Sequence, residues 1–209
     1  MDESAQAIVN LVDDDEALRD SLRWLLESAG HVVVAHASAE AFLSAYRLEQ
    51  PGCLLLDIRM SGMSGLELQD ELIRRGIAIP IIFITGHGDV PTAVSAVKKG
   101  AVEFLEKPFN DQVLLGPVNT ALAFDAEART QADGQRSLDA RLASLTQRER
   151  EVLDLVVAGK RNREIAEQLD VSIKTVEAHR ARIMQKAGAG TLAELLQVVH
   201  AASPGRANK

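Results

Sequence analysis

A single cysteine, Cys53, excludes an internal disulfide framework and any cysteine-rich metal site. It stands in the apolar run CLLL, where it reads as a small buried hydrophobe. No apolar stretch approaches the roughly 20 residues needed to span a bilayer. The acidic residues near the start do not resemble a secretory leader, so a cytoplasmic location without a membrane partner is expected. Internal repeats and low-complexity tracts are also lacking. What remains is a chain of 209 residues, 46% apolar and 25% charged, which suits one large or two small globular domains.

Charge is unevenly spread. Residues 1–124 carry 9 Lys/Arg against 18 Asp/Glu, a net of −9, whereas residues 137–209 carry 12 against 9, a net of +3. An acidic half joined to a mildly basic half suggests that the second half meets a polyanion.

The first 110 residues alternate short apolar runs with helical periodicity. Ile8–Val12, Val32–Ala35, Leu54–Asp57, Ile81–Thr85 and Val102–Leu105 are short, continuous and rich in Val, Ile and Leu, as strands buried on both faces should be. Amphipathic segments near 16–29, 38–47, 65–75 and 90–99 lie between them, several ending at a glycine. This alternation predicts an α/β doubly wound, five-stranded parallel sheet. A fifth helix is expected from Asp111, kinked or delayed by Gly116-Pro117. The Ala-rich, polar stretch that follows reads as a helical linker, broken at Gly134. A small all-α block comes next. Thr146 and Glu149 form a capping box. Asn162–Leu169 is a short helix, Ser172 caps a helix over Ile173–Ala187, and Thr191–Val199 supplies another. The expected domains are therefore residues 1–124, a helical linker at 125–141, and a helix-turn-helix domain at 142–209.

In such sheets ligands bind beyond the carboxyl ends of the strands. Asp13 and Asp14 end the first strand, Asp57 the third and Thr85 the fourth, and Lys107 follows the fifth. Taken singly, Asp13 and Asp14 also suit the N-cap of the next helix, and Asp57 a strand-end turn. Taken together with Lys107, they make an oxygen-rich site for a hard divalent cation such as Mg²⁺. Asp57 could then attack phosphorus and form an acyl phosphate, with Lys107 and the Thr85 hydroxyl on phosphoryl oxygens.

The segments IVNLVDDDEALRDSLRWLL, LLLDIRMSGMSGLEL and IIFITGHGDVPTAVSAVKKGAVEFLEKPF resemble a response-regulator receiver domain over residues 6–124, most closely the FixJ subfamily. The resemblance implies that Asp57 is the phosphoacceptor and that Asp13, Asp14, Asp57 and the backbone carbonyl of Arg59 hold Mg²⁺. It implies that Thr85 is a switch hydroxyl, that Phe104 turns inward with it, and that Lys107-Pro108 is cis. Arg59 and His87 occupy positions that tune the lifetime of the phosphoryl group. The family's usual proline after the Asp57 loop is Ser61 here. Serine lacks proline's fixed φ, so a looser loop is expected.

The segment LTQREREVLDLVVAGKRNREIAEQLDVSIKTVEAHRARIMQKAG resembles the LuxR-type DNA-binding domain over residues 142–202. In a helix-turn-helix the second helix enters the major groove. Val176, Ile183 and Ala187 keep to the core at helical spacing. Lys174, Thr175, Arg180 and Arg182 are candidate phosphate contacts. Glu177, Ala178 and Ala181 match base-facing positions, Glu177 as an acceptor for a cytosine amino group and the alanines against thymine methyls. His179 has no partner ligand at i+4 and reads as structural or phosphate-facing.

The two resemblances together imply a two-component response regulator that a sensor histidine kinase phosphorylates. Double-stranded DNA and RNA polymerase are the implied partners, with homodimerisation on phosphorylation or on DNA. Two rivals bear on the same residues. An aspartate-nucleophile phosphohydrolase of the HAD type needs a second acid two residues after the nucleophile, where this chain has Arg59; no substrate turnover beyond self-phosphorylation and self-dephosphorylation is expected. A regulator that works through protein contacts alone would lack salt-dependent DNA binding.

Overall fold

The computed structural model describes residues 6–86 and 90–202. Its contacts divide the chain into Met1–Arg129 and Thr130–Lys209. The first unit holds strands β1 (Ile8–Val12), β2 (Val32–His36), β3 (Gly52–Asp57), β4 (Ile81–Thr85) and β5 (Glu103–Glu106), all parallel, in the order β2-β1-β3-β4-β5. Helices α1 (Glu16–Ser28), α2 (Ala39–Ala45), α3 (Gly65–Arg74) and α4 (Val90–Lys98) alternate with them. The strand order reverses between β1 and β3, which opens a crevice at their carboxyl ends.

Every residue of β3 is buried, and its side chains alternate between two cores. Leu54 and Leu56 join Phe83 and, from the helices, Phe42, Leu68 and Ala96. Leu55 faces the other way, with Ile82, Ile84, Leu22, Leu26 and Leu114. The continuous apolar runs of the sequence follow from this double burial.

Helix α5 (Asp111–Ala143) departs from expectation: it starts at Asp111 and continues through Gly116, Pro117 and Gly134. A proline in a helix interior costs about 3 kcal/mol. Leu114, Val118 and Ala121 are fully buried around it, and a buried Leu or Val contributes roughly 1.5–3 kcal/mol each. Burial therefore outweighs the lost backbone bond. Gly134 costs only about 1 kcal/mol relative to Ala, too little to end a helix flanked by good formers.

The opening of the stretch read as a linker is also better anchored than its composition suggested. Asp125 is buried, accepts from the Gly52 backbone N–H at 2.8 Å, and takes the Arg129 Nε at 2.8 Å. Arg129 also donates to the carbonyls of Leu48, Glu49 and Gln50 at 3.2, 3.2 and 2.7 Å.

The second unit contains the last turns of α5 and helices α6 (Gln147–Val157), α7 (Asn162–Leu169), α8 (Ile173–Ala187) and α9 (Leu192–Ala202). Val152, Val156, Ile165, Val176, Ile183 and Leu195 form its core. The capping box forms as expected: the Glu149 N–H reaches Thr146 Oγ1 at 3.3 Å, and the Thr146 N–H reaches Glu149 Oε2 at 2.8 Å. Ser172 caps α8, accepting from the Thr175 N–H at 3.1 Å. Asp170 carries the chain through the α7–α8 turn at φ 52°. Among the described residues no helix is long and apolar enough to cross a membrane.

Candidate functional site

The acidic site lies at the carboxyl edge of the sheet. β1 delivers Asp13 and Asp14 and β3 delivers Asp57, with a carboxylate oxygen from each within 4.8 Å of the others. Asp13 and Asp57 are 1% and 5% exposed, so their charges are taken out of water and need compensation. Lys107 supplies it: Nζ is 2.8 Å from Asp57 Oδ1 and 3.0 Å from Asp13 Oδ2. The Lys107 N–H donates to the Thr85 carbonyl at 2.7 Å, which ties the residue beyond β5 to the end of β4. The Arg19 guanidinium, from the first turn of α1, holds the Asp13 carbonyl at 2.7 Å, a contact sequence reasoning missed.

Burial pushes the Asp57 carboxyl above its ordinary range, against the opposing pull of Lys107. For Lys107, burial pulls the ammonium down, but hydrogen bonds to Asp57 and Asp13 outweigh it and the net shift is upward. The backbone N–H of Ser61, then its hydroxyl, holds Asp14 below the usual carboxylate range.

The alternative caps are resolved by geometry. Asp15 caps α1, accepting from the N–H groups of Ala17 and Leu18 at 3.0 and 3.2 Å, while Asp13 Oδ1 accepts from the Asp15 N–H at 2.9 Å. Asp13 and Asp14 thus remain aimed at the crevice. One lysine does not neutralise three clustered carboxylates, and the donor set is all oxygen; both suit a hard divalent cation. The Arg59 side chain is exposed, and its N–H donates to Asp57 Oδ2 at 3.0 Å. Thr85 is fully buried at the end of β4, one position beyond Ile84, the register partner of Asp57. Phe104 pairs in register with Phe83 and is half-buried against the first core. The Lys107-Pro108 bond is cis. His87 lies outside the described residues.

The loop after Asp57 differs from expectation. Ser61 donates both its N–H and its hydroxyl to Asp14 Oδ2, at 2.7 and 2.9 Å. Farther along, the Met63 N–H donates to Glu40 Oε1 at 3.2 Å, and the Gly65 N–H to the Ile58 carbonyl at 3.0 Å. The loop is fastened by bonds at both ends, and the one from the Ser61 N–H is a bond proline cannot make.

In the second unit, α8 buries Val176, Ile183 and Ala187 and turns the exposed side chains of Lys174, Glu177, Ala178, Ala181 and Arg182 outward. Gln185, four residues beyond Ala181, shares that face; helical spacing alone could have found it. Thr175 is half-buried, its hydroxyl 2.8 Å from Ser172 Oγ. Arg180 stands apart from the outward set: it is half-buried and lines a small cleft with Leu153, Val156 and Leu195. His179 Nδ1 is buried with no hydrogen-bond partner among the described residues.

Residues 9–119 match the family model of the response regulator receiver domain, and residues 143–199 that of the bacterial regulatory proteins of the luxR family. The chain is 47% identical over 190 residues to the transcriptional regulatory protein FixJ of Azorhizobium caulinodans, covering 91% of this chain and 90% of that protein. It is 48% identical over 192 residues to the transcriptional regulatory protein TdiR of Thauera aromatica, covering 91% and 84%. Among solved structures, the response regulator StyR superposes with a TM-score of 0.88 at 46% identity, covering 94% of this chain and 99% of that one. With a receiver in its first unit and a LuxR-type domain in its second, the chain belongs to the FixJ-like two-component response regulators that control transcription.

Proposed function

We propose that a sensor histidine kinase transfers a phosphoryl group to Asp57, and that this controls DNA binding by α8. The observation that carries the proposal is the buried Asp57 carboxylate, paired with Lys107 and flanked by Asp13 and Asp14. An Asp57 oxygen forms the new bond to phosphorus as the phosphorus–nitrogen bond of the kinase phosphohistidine breaks, and the electron pair leaves on the imidazole nitrogen. Lys107 then holds one phosphoryl oxygen and the Thr85 hydroxyl another. Asp13, Asp14, Asp57 and the Arg59 carbonyl would hold Mg²⁺. Bound there, the ion supplies charge that offsets repulsion between the carboxylates and the incoming phosphoryl group. Arg59 occupies the position where a phosphohydrolase carries its acid, so Asp57 is modified and slowly released without turnover on other substrates.

Thr85 moving toward the phosphoryl group would let Phe104 turn inward and reshape the α4–β5 face, favouring a homodimer. Lys174, Thr175, Arg180 and Arg182 would meet phosphates, and Glu177, Ala178 and Ala181 the base edges of double-stranded DNA. RNA polymerase is the partner through which a bound dimer would act. A chain that meets a kinase's phosphodonor and DNA would work in the cytoplasm. Residues 1–124 would be the receiver, 125–141 the helical linker and 142–209 the DNA-binding domain. The test is intact mass after incubation with acetyl phosphate and Mg²⁺, with Asp57→Asn as control and DNA binding followed in parallel. One added phosphoryl group on the parent alone, with tighter DNA binding, is expected. No modification, or modification without a change in DNA affinity, overturns the proposal.

A further inference from the structure

Resting on the reading of Asp13, Asp14 and Asp57 as the Mg²⁺ site, we infer that Ser61 is a positioning residue for Asp14, fixing that carboxylate before the cation arrives. Asp14 is the exposed member of the acidic set and the one that Lys107 does not hold within salt-bridge distance. An exposed carboxylate at a strand end would rotate freely. Here two donors from one residue converge on a single oxygen, Oδ2, with the backbone N–H at 2.7 Å and the hydroxyl at 2.9 Å. Charge-assisted bonds of this length are the stronger kind. Both fall on Oδ2, in a carboxylate that keeps one oxygen within 4.8 Å of those of Asp13 and Asp57.

The arrangement is local to this sequence pattern. Ser61 stands where the resembling family usually carries proline, which has neither donor. The same bonds reach 47 residues along the chain, from the β3–α3 loop to the end of β1. The ordering of that loop is thereby completed by Asp14 itself. Outer partners that orient a ligand typically change metal affinity by about 10- to 100-fold when removed.

The experiment is calorimetric titration of Mg²⁺ into the full-length chain at neutral pH, for the parent and for Ser61→Thr, Ser61→Ala and Ser61→Pro. Asp13→Asn is included to report the site itself, and thermal melts confirm folding. Ser61→Thr keeps both donors and is expected to bind as the parent does. Ser61→Ala keeps the N–H alone and should bind several-fold more weakly. Ser61→Pro keeps neither and should lose roughly 10-fold or more. If the parent binds Mg²⁺ and Asp13→Asn does not, yet folded Ala and Pro variants bind as tightly as the parent or tighter, the role of Ser61 is overturned and the site reading stands. A parent that binds no Mg²⁺, or an Asp13→Asn variant that binds it unchanged, overturns both.

Discussion

Lys107 Nζ sits 2.8 Å from Asp57 Oδ1 and, within the same reach, 3.0 Å from Asp13 Oδ2, so one ammonium holds two buried carboxylates. Replacing it by an isosteric apolar chain, Lys107→Met, leaves Asp13 and Asp57 facing each other uncompensated. Burial already pushes the Asp57 carboxyl up, and without Lys107 it rises further, which disfavours the nucleophilic carboxylate. Phosphorylation by acetyl phosphate is expected to slow by about 100- to 1000-fold, the range typical for loss of one donor positioned on a reacting oxygen. The acid limb of the rate profile should also move to higher pH than in the parent. An intact-mass time course at several pH values checks both, and an unchanged rate would refute the role of Lys107.

Gly65 opens α3 against the backbone of the phosphoacceptor. A Cβ built there would lie 2.3 Å from the Asp57 carbonyl oxygen, a separation no real structure tolerates. Gly65→Ala must displace either the start of α3 or the end of β3. It is expected to cost about 1–3 kcal/mol, the usual penalty of overpacking, despite alanine's better helix propensity. A urea titration followed by circular dichroism measures the loss, and a neutral or stabilising effect would contradict the close approach.

The strands and their order of burial were legible because double-sided burial writes itself as continuous Val, Ile and Leu runs, as in β3 and β4. The caps at Thr146 and Ser172 were legible because their partners lie three residues away. Three features were not. Pro117 and Gly134 are local breakers, and only the burial of Leu114 and Val118 from distant strands outvotes the first of them. The Ser61–Asp14 bonds join residues far apart in sequence, so no short window carries their signal. Arg180 read as one of several cations on a helix, and its half-burial depends on where α6 and α9 pack. Periodic, local chemistry shows in sequence; long-range compensation does not.

Glu149 joins the α6 capping box to α8. Its carboxylate accepts from Lys186 Nζ at 2.7 Å as well as from the Thr146 N–H. The Lys186 bond, then the Thr146 N–H, holds its carboxyl down at about 2, against 4.5 for an ordinary glutamate. The folded form therefore binds its proton less readily than the unfolded chain. The resulting stability is complete above pH 4.5 and is lost as pH falls toward about 2. Glu149→Gln is expected to lower the melting temperature of the second unit near neutral pH, and the gap from the parent should close through this window. A gap that stays constant into acid would show that the ion pair contributes nothing.

Lys174 and Arg182 are exposed on the outward face of α8, whereas Arg180 is half-buried beside Leu153 and Val156. If Lys174 neutralises a phosphate, Lys174→Ala reduces the slope of log affinity against log salt by about 1 and weakens all sequences alike. Arg182→Ala should behave in the same way. Arg180→Ala should move the slope less and the melting temperature more, because its aliphatic stem covers apolar surface that truncation exposes. Glu177→Ala should instead leave the slope intact and relax preference at one base pair, by about 1 kcal/mol or somewhat more. Gel shifts across a salt series, on a selected operator and a scrambled duplex, separate the three behaviours. Identical slopes for the parent and both Lys174→Ala and Arg182→Ala would remove this face of α8 from the DNA interface.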